Sequence, residues 1–117
     1  MQRKATKQSP GPTAAAKNFI TWTAYRPCVV CGNEPVIVHH IYGSSKKLYV
    51  GVERVPVGHW AVLPLCQQHD DIVTNRSRRA FENEHGQQES LWLKHTHEYT
   101  GEIPDKIATA IMGEVRC

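Results

Sequence analysis

With 117 residues, 40% of them hydrophobic, the chain has material for one small domain whose core is too small to be very stable unaided. Fourteen Lys and Arg against eleven Asp and Glu leave a net charge of +3, only a weak pointer to a polyanionic partner. No apolar run is long enough to cross a membrane and no charged-then-apolar leader is visible, so a cytoplasmic, non-secreted protein is expected.

In chain order, residues 1–12 are polar, basic and broken by Ser9-Pro10-Gly11-Pro12, which predicts a disordered basic arm ahead of a single domain over 13–117. Thr13 is placed to cap a helix over Ala14–Trp22, with Ala15, Phe19 and Trp22 on one face. Val36–Tyr42 is β-branched and apolar, a predicted strand carrying His39 and His40 near its end, and Gly43–Lys47 is a predicted flexible loop. Leu48–Gly58 mixes valines with charges and glycines and is expected to be an irregular connection. Trp60–Leu65 is a second predicted strand, followed by a helix over Gln67–Arg76 with Ile72 and Val73 facing inward. Further helices are expected over Ser77–His85, closed by Gly86 as a C′ glycine, and over Gln87–Tyr99 with Leu91, Trp92 and His95 at helical spacing. Pro104 should open a last amphipathic helix with Ile107, Ala108, Ile111, Met112 and Val115 on one side. Trp22, Trp60 and Trp92 are expected in the core, and His85, His95 and His97 carry no assigned role.

The most informative pattern is Cys28-Val-Val-Cys31-Gly32 matched with Cys66-Gln-Gln-His69. Two ligand pairs, each with two residues between, are what a tetrahedral Zn²⁺ takes from two short knuckles. Gly32 suits the first knuckle, because the turn past the second ligand often needs positive φ. Without a secretion signal, metal in a reducing compartment explains these thiols better than disulfides, and Cys117 has no partner in the scheme. A knuckle, two strands and a helix opening at the second knuckle make a zinc-stapled ββα unit, so the fold class is α+β.

Three segments carry a resemblance: His39-His40-Ile41-Tyr42-Gly43, His59–Asp71 with its Pro-Leu-Cys-x-x-His-Asp run, and Arg79–Gly86. They are similar to the HNH (ββα-metal, treble-clef-like) nucleases, nearest the phage and prophage branch with the Ref-type, RecA-dependent recombination-enhancing nucleases. The likeness covers roughly residues 13–95. It implies a bacterial-host, phage-related DNA endonuclease with flanking helices around the core. His40 would be the general base, His39 a ligand of a catalytic metal and Asp70 the second ligand. His59 would orient His40 or bind the ion, and the products would carry 3′-hydroxyl and 5′-phosphate ends.

The chemistry is coherent with those residue types. Imidazole titrates near working pH and can take a proton from water, while a divalent ion polarises a phosphate. One imidazole with one carboxylate favours Mg²⁺ or Mn²⁺ over Zn²⁺. Successive strand residues point to opposite faces, so both histidines can serve one site only at a strand end or bulge. Lys46, Lys47, Arg78 and Arg79 are expected to hold neighbouring phosphates, and the Ref likeness implies a recombinase filament as a partner. The chain departs from the family at Asp70 and Thr74, which stand where relatives have two histidines, with Asn75 nearby, and it lacks the middle asparagine. A non-catalytic zinc module binding DNA or a recombination partner is therefore the alternative. A nucleobase deaminase is excluded because Ile41 and Tyr42 stand where its glutamate is needed, and a thioredoxin-like role because no βαβ pattern surrounds Cys28 and Cys31.

Overall fold

The computed structural model describes residues 12–116. Arg3, Lys4 and Lys7 of the expected arm, and Cys117, lie outside the described residues.

Among the described residues the chain is a mixed α+β domain of five α-helices and two small antiparallel sheets. Helix α1 (Ala14–Ala24) starts where Thr13 stands ready: its Oγ1 accepts from the Ala16 amide at 3.1 Å. The buried face is Ala16, Phe19 and Thr23, with Trp22 half-buried beside it, so Ala15 is turned outward, contrary to expectation.

Strand β1 (Ile37–His40) pairs antiparallel with β4 (Val62–Leu65), His39 opposite Leu63 and His40 opposite Val62. The pairing continues one step further through the Ile41 amide to the Ala61 carbonyl at 2.9 Å. Strand β4 is shorter than the apolar run that announces it, because Trp60 and Ala61 close a turn onto the Val57 carbonyl. All four β4 residues are buried, with α1 and α4 both packed against the strand.

The stretch expected to be irregular is a second hairpin: β2 (Lys47–Val50) and β3 (Glu53–Pro56) joined at Gly51-Val52, with Gly51 at φ 63°. Its return path is tight. Gly58 is buried against the Gly43-Ser44 turn, where a Cβ would stand 2.6 Å from the Gly43 carbonyl oxygen, so only glycine fits.

Helix α2 (Gln67–Asp71) follows β4 and runs into a π-helical turn over Ile72–Arg76, in which the Ser77 amide reaches the Ile72 carbonyl at 3.1 Å. Ile72 and Val73 pack on the core as expected. Helix α3 (Arg78–His85) is capped by the Ser77 hydroxyl, which accepts from the Ala80 amide, and ends at Gly86 with φ 96°. Helix α4 (Gln88–Thr96) is shorter at both ends than its periodic stretch, and Trp92 is pinned by its indole N–H donating to the Trp60 carbonyl at 2.8 Å. Helix α5 (Asp105–Met112) lies on the β2–β3 hairpin and buries Ile107, Ala110 and Ile111; Met112, expected inward, is 53% exposed. The ββα unit is thus β1, β4 and α2, with a hairpin inserted between its strands.

Candidate functional site

The two knuckles converge. Residues 28–32 fold back on themselves through the Gly32 amide to the Cys28 carbonyl at 2.8 Å, and Gly32 takes φ 80°, as its position predicts. The Val29 amide donates to Pro64 on β4 at 2.9 Å, which fastens the first knuckle to the strand that delivers the second. Cys66 caps α2 and His69 stands one turn into it.

The four candidate ligand atoms lie within 4.8 Å of one another. Cys31 Sγ and Cys66 Sγ are 3.7 Å apart, Cys28 Sγ and His69 Nδ1 3.7 Å, and Cys66 Sγ and His69 Nδ1 3.2 Å. A tetrahedral zinc with ordinary Zn–S and Zn–N bonds separates its ligands by about 3.5–3.8 Å, so the donor set fits a structural metal such as zinc. Burial pushes the Cys28 thiol up, but the amides of Cys66, Cys31 and Val30 outweigh it and hold it below the ordinary thiol range. That is the direction thiolate ligation needs at Cys28, whereas at Cys31 the Asn33 amide is outweighed by burial and the neighbouring Cys66 and Cys28 thiols, which push it up. His69 is held below the usual imidazole range by burial and then by His85, whose ring stands perpendicular to it at 4.8 Å, so the ring is kept neutral, the state in which the nitrogen facing the thiols, Nδ1, can ligate.

The paired histidines take different neighbours. His39 Nδ1 is 3.4 Å from Asp70 Oδ1, across from the start of α2, and its Nε2 is 2.8 Å from the Gln88 amide oxygen on α4. His40 instead faces His59, ring centroids 6.2 Å apart and nearly perpendicular. Burial first, then the charges of His59 and His39, keeps His40 below the usual imidazole range. The register through His40 is regular, so the two rings leave the strand on opposite sides without a bulge. His39 therefore joins Asp70, and His40 joins His59.

The basic residues divide in the same way. Lys46, Lys47 and Arg79 are exposed, and Lys46 Nζ stands 5.9 Å from the Tyr42 ring centre. Arg78, expected to hold a phosphate, is engaged internally: its guanidinium donates to Glu89 at 2.8 and 3.0 Å and to Glu82 at 3.0 Å. Thr74 is exposed, and Asn75 donates to Asp71 at 3.4 Å, turned to that carboxylate.

Sequence reasoning missed Gln88 and Glu89. Both are only 1% exposed in the first turn of α4, and they reach across to the end of β1. Gln88 takes His39, and Glu89 accepts from the Tyr42 hydroxyl as well as from Arg78. The available signal was the spacing of Gln88 and Glu89, four and three residues ahead of the core Trp92 on the same helix.

Fold and site together define a small α+β domain built around a Cys₃His cluster suited to a structural metal. Residues 9–108 match the family described as "Protein of unknown function (DUF968)", and the chain belongs to that family. No curated protein matches the chain. No helix among the described residues is long and apolar enough to cross a membrane.

Proposed function

We propose that this chain is a metal-dependent DNA endonuclease of the HNH type, a phosphodiester hydrolase related to phage and prophage recombination nucleases and working in the bacterial cytoplasm. The observation that carries the reading is the His39–Asp70 pair, 3.4 Å between Nδ1 and Oδ1, set on a ββα unit beside a zinc-compatible cluster. Two ligands of one divalent ion stand about 3 Å apart when they occupy neighbouring coordination positions at 2.0–2.2 Å. His39 and Asp70 would hold Mg²⁺ or Mn²⁺, which supplies charge to polarise the phosphate and neutralise the leaving oxygen.

The chain's own residues supply the rest. His40, kept neutral by its surroundings, has a lone pair ready near pH 7 and takes a proton from the attacking water. His59 beside it steadies the ring. Because His39 and His40 leave the strand on opposite sides, the scissile phosphate lies over the end of the β1–β4 hairpin, where the two faces meet. Lys46, Lys47 and Arg79 are exposed and free to meet flanking phosphates. A RecA-like recombinase filament would present the DNA to so small a nuclease.

The same separation of the two rings favours a second reading, a zinc-containing module that binds DNA or a recombination partner without cutting. Incubating the zinc-loaded protein with Mn²⁺ or Mg²⁺ and single- or double-stranded DNA, with and without a RecA filament, decides between them. The nuclease reading expects nicks with 3′-hydroxyl and 5′-phosphate ends, lost by about 10²-fold or more in His40→Ala. Binding with no cutting in any arm replaces it with the second reading.

A further inference from the structure

The amide of Gln88 has an unusual place for a polar group. The residue is 1% exposed, its backbone N–H donates to Glu82 Oε2 on α3 at 3.2 Å, and its side chain is aimed at the imidazole of a residue 49 positions earlier. A buried amide in a small core costs free energy unless its bonds are made, so its contact with His39 is specific rather than incidental.

The two contacts of His39 are also unequal. The one to Gln88 Oε1, at 2.8 Å, has the length of a good N–H···O hydrogen bond. The one from Nδ1 to Asp70 Oδ1, at 3.4 Å, is longer than such a bond normally is and matches two donors facing a shared cation. An amide oxygen only accepts, so a neutral ring bonded in this way carries its proton on Nε2 and turns the Nδ1 lone pair to the carboxylate. Reversing the amide would put a donor against Nε2 and force the proton onto Nδ1, blocking the nitrogen that faces Asp70.

We propose that Gln88 is a positioning residue: it fixes the tautomer of His39, so that Nδ1 and the Asp70 carboxylate form a preset two-atom claw for a hard divalent cation. The cation's role rests on the reading of His39 and Asp70 given above; the tautomer does not. Glu89, one residue on, ties the same helix head to Tyr42, so α4 grips the end of β1 at two points and holds the ring against rotation. Partners of this kind around a ligating histidine typically change metal affinity by about 10–100-fold when removed.

The test uses the full chain, zinc-loaded, and two variants, Gln88→Leu and Gln88→Glu, each checked for zinc content and circular dichroism. Long-range ¹H–¹⁵N spectra without manganese read the His39 tautomer, and electron paramagnetic resonance titration reads Mn²⁺ affinity. Wild type is expected to show Nε2–H with bare Nδ1. Gln88→Leu should lose that preference and bind Mn²⁺ about 10–100-fold more weakly, while Gln88→Glu, which keeps an acceptor, retains the tautomer and stays within a few-fold of wild type. A wild-type Nδ1–H tautomer, or a folded Gln88→Leu with unchanged tautomer and affinity, overturns the proposal. If Gln88→Leu does not fold, the wild-type and Gln88→Glu spectra still decide it. His39→Ala and Asp70→Ala titrated alongside separate the failures: if they bind Mn²⁺ like wild type, the cation site is wrong, whereas the spectra alone judge what Gln88 does to His39.

Discussion

Arg78 shows how little a charged residue's type says about its work. Burial opposes its charge, and the carboxylates of Glu89 and Glu82 outweigh that, leaving the guanidinium more firmly protonated than usual. Glu89 is 2% exposed at its side chain and has two partners, Arg78 and the Tyr42 hydroxyl. Removing the arginine would strand a buried carboxylate, the costly half of any buried pair. Arg78→Ala is therefore expected to lower the unfolding free energy by about 3 kcal/mol, read from urea denaturation, while Arg79→Ala, on an exposed site, should change it by less than about 0.5 kcal/mol. Equal small effects would mean that Glu89 is solvated and the network ornamental. At this scale the Cys₃His cluster was legible, because the spacing within each ligand pair is local. His39, His40, Asp70 and His59 were legible as residues, and the resemblance set His39 with Asp70 and His59 by His40; that the two rings leave the strand on opposite sides had to wait for the register. Gln88 and Glu89 were missed: their partners His39 and Tyr42 lie 49 and 47 positions away, and only helix packing brings them there.

At the level of elements, the ββα unit is held by its knuckles more than by its strands. Strands β1 and β4 pair over four residues each, and α2 has five, too short to persist alone. What anchors them is the Cys28–His69 cluster together with the Val29-to-Pro64 bond. Structural zinc sites contribute their binding energy to folding. Full chelation is expected to cost more than about 5 kcal/mol, and at roughly 4 °C per kcal/mol for a chain of this size the thermal midpoint should fall by about 20 °C or more. Metal analysis should find one zinc per chain, and Cys66→Ser should reproduce the loss without chelator. An unchanged midpoint after verified zinc removal would leave the cluster without a structural role. The β2–β3 hairpin was the element sequence could not see. Leu48, Val50, Val55 and Val57 do alternate around Gly51, but Glu53 and Arg54 interrupt the apolar signal, and its inward face is completed only by α5 from the far end of the chain. Met112 stands at helical spacing from Ala108, but the buried stripe of α5 runs through Ile107, Ala110 and Ile111 and leaves it at the edge, 53% exposed.

At the scale of the whole molecule, α1 and α4, far apart in the chain, are joined at an aromatic junction that contains a titratable ring. His95 on α4 shares a hydrogen bond of 2.8 Å with the Thr23 hydroxyl on α1, stacks on Trp22 at 4.7 Å and meets Phe19 at 5.6 Å. Burial, and next the charge of Arg26, bring its pKa from 6.5 down to about 4. Arg26 is itself paired with Glu98, and among the described residues no carboxylate forms an ion pair with the ring to offset the loss of water. In the unfolded chain the imidazole takes its proton near its ordinary pKa, while the folded one does not until about 4. Between those values the unfolded state binds more protons, so stability rises with pH through the window and is lost as pH falls from 6.5 towards 4. The full difference is of order 3 kcal/mol at about 1.4 kcal/mol per unit. His69 and His40 are depressed in the same direction, so the wild-type slope alone would not single out His95. His95→Gln removes the titration and keeps a group able to bond Thr23. Its urea-derived stability, measured beside wild type from pH 7 to 4, should fall less steeply by close to one proton. Parallel curves for the two proteins would show that the ring is already charged or solvated at this junction, and that α1 and α4 are held by the aromatic stack alone.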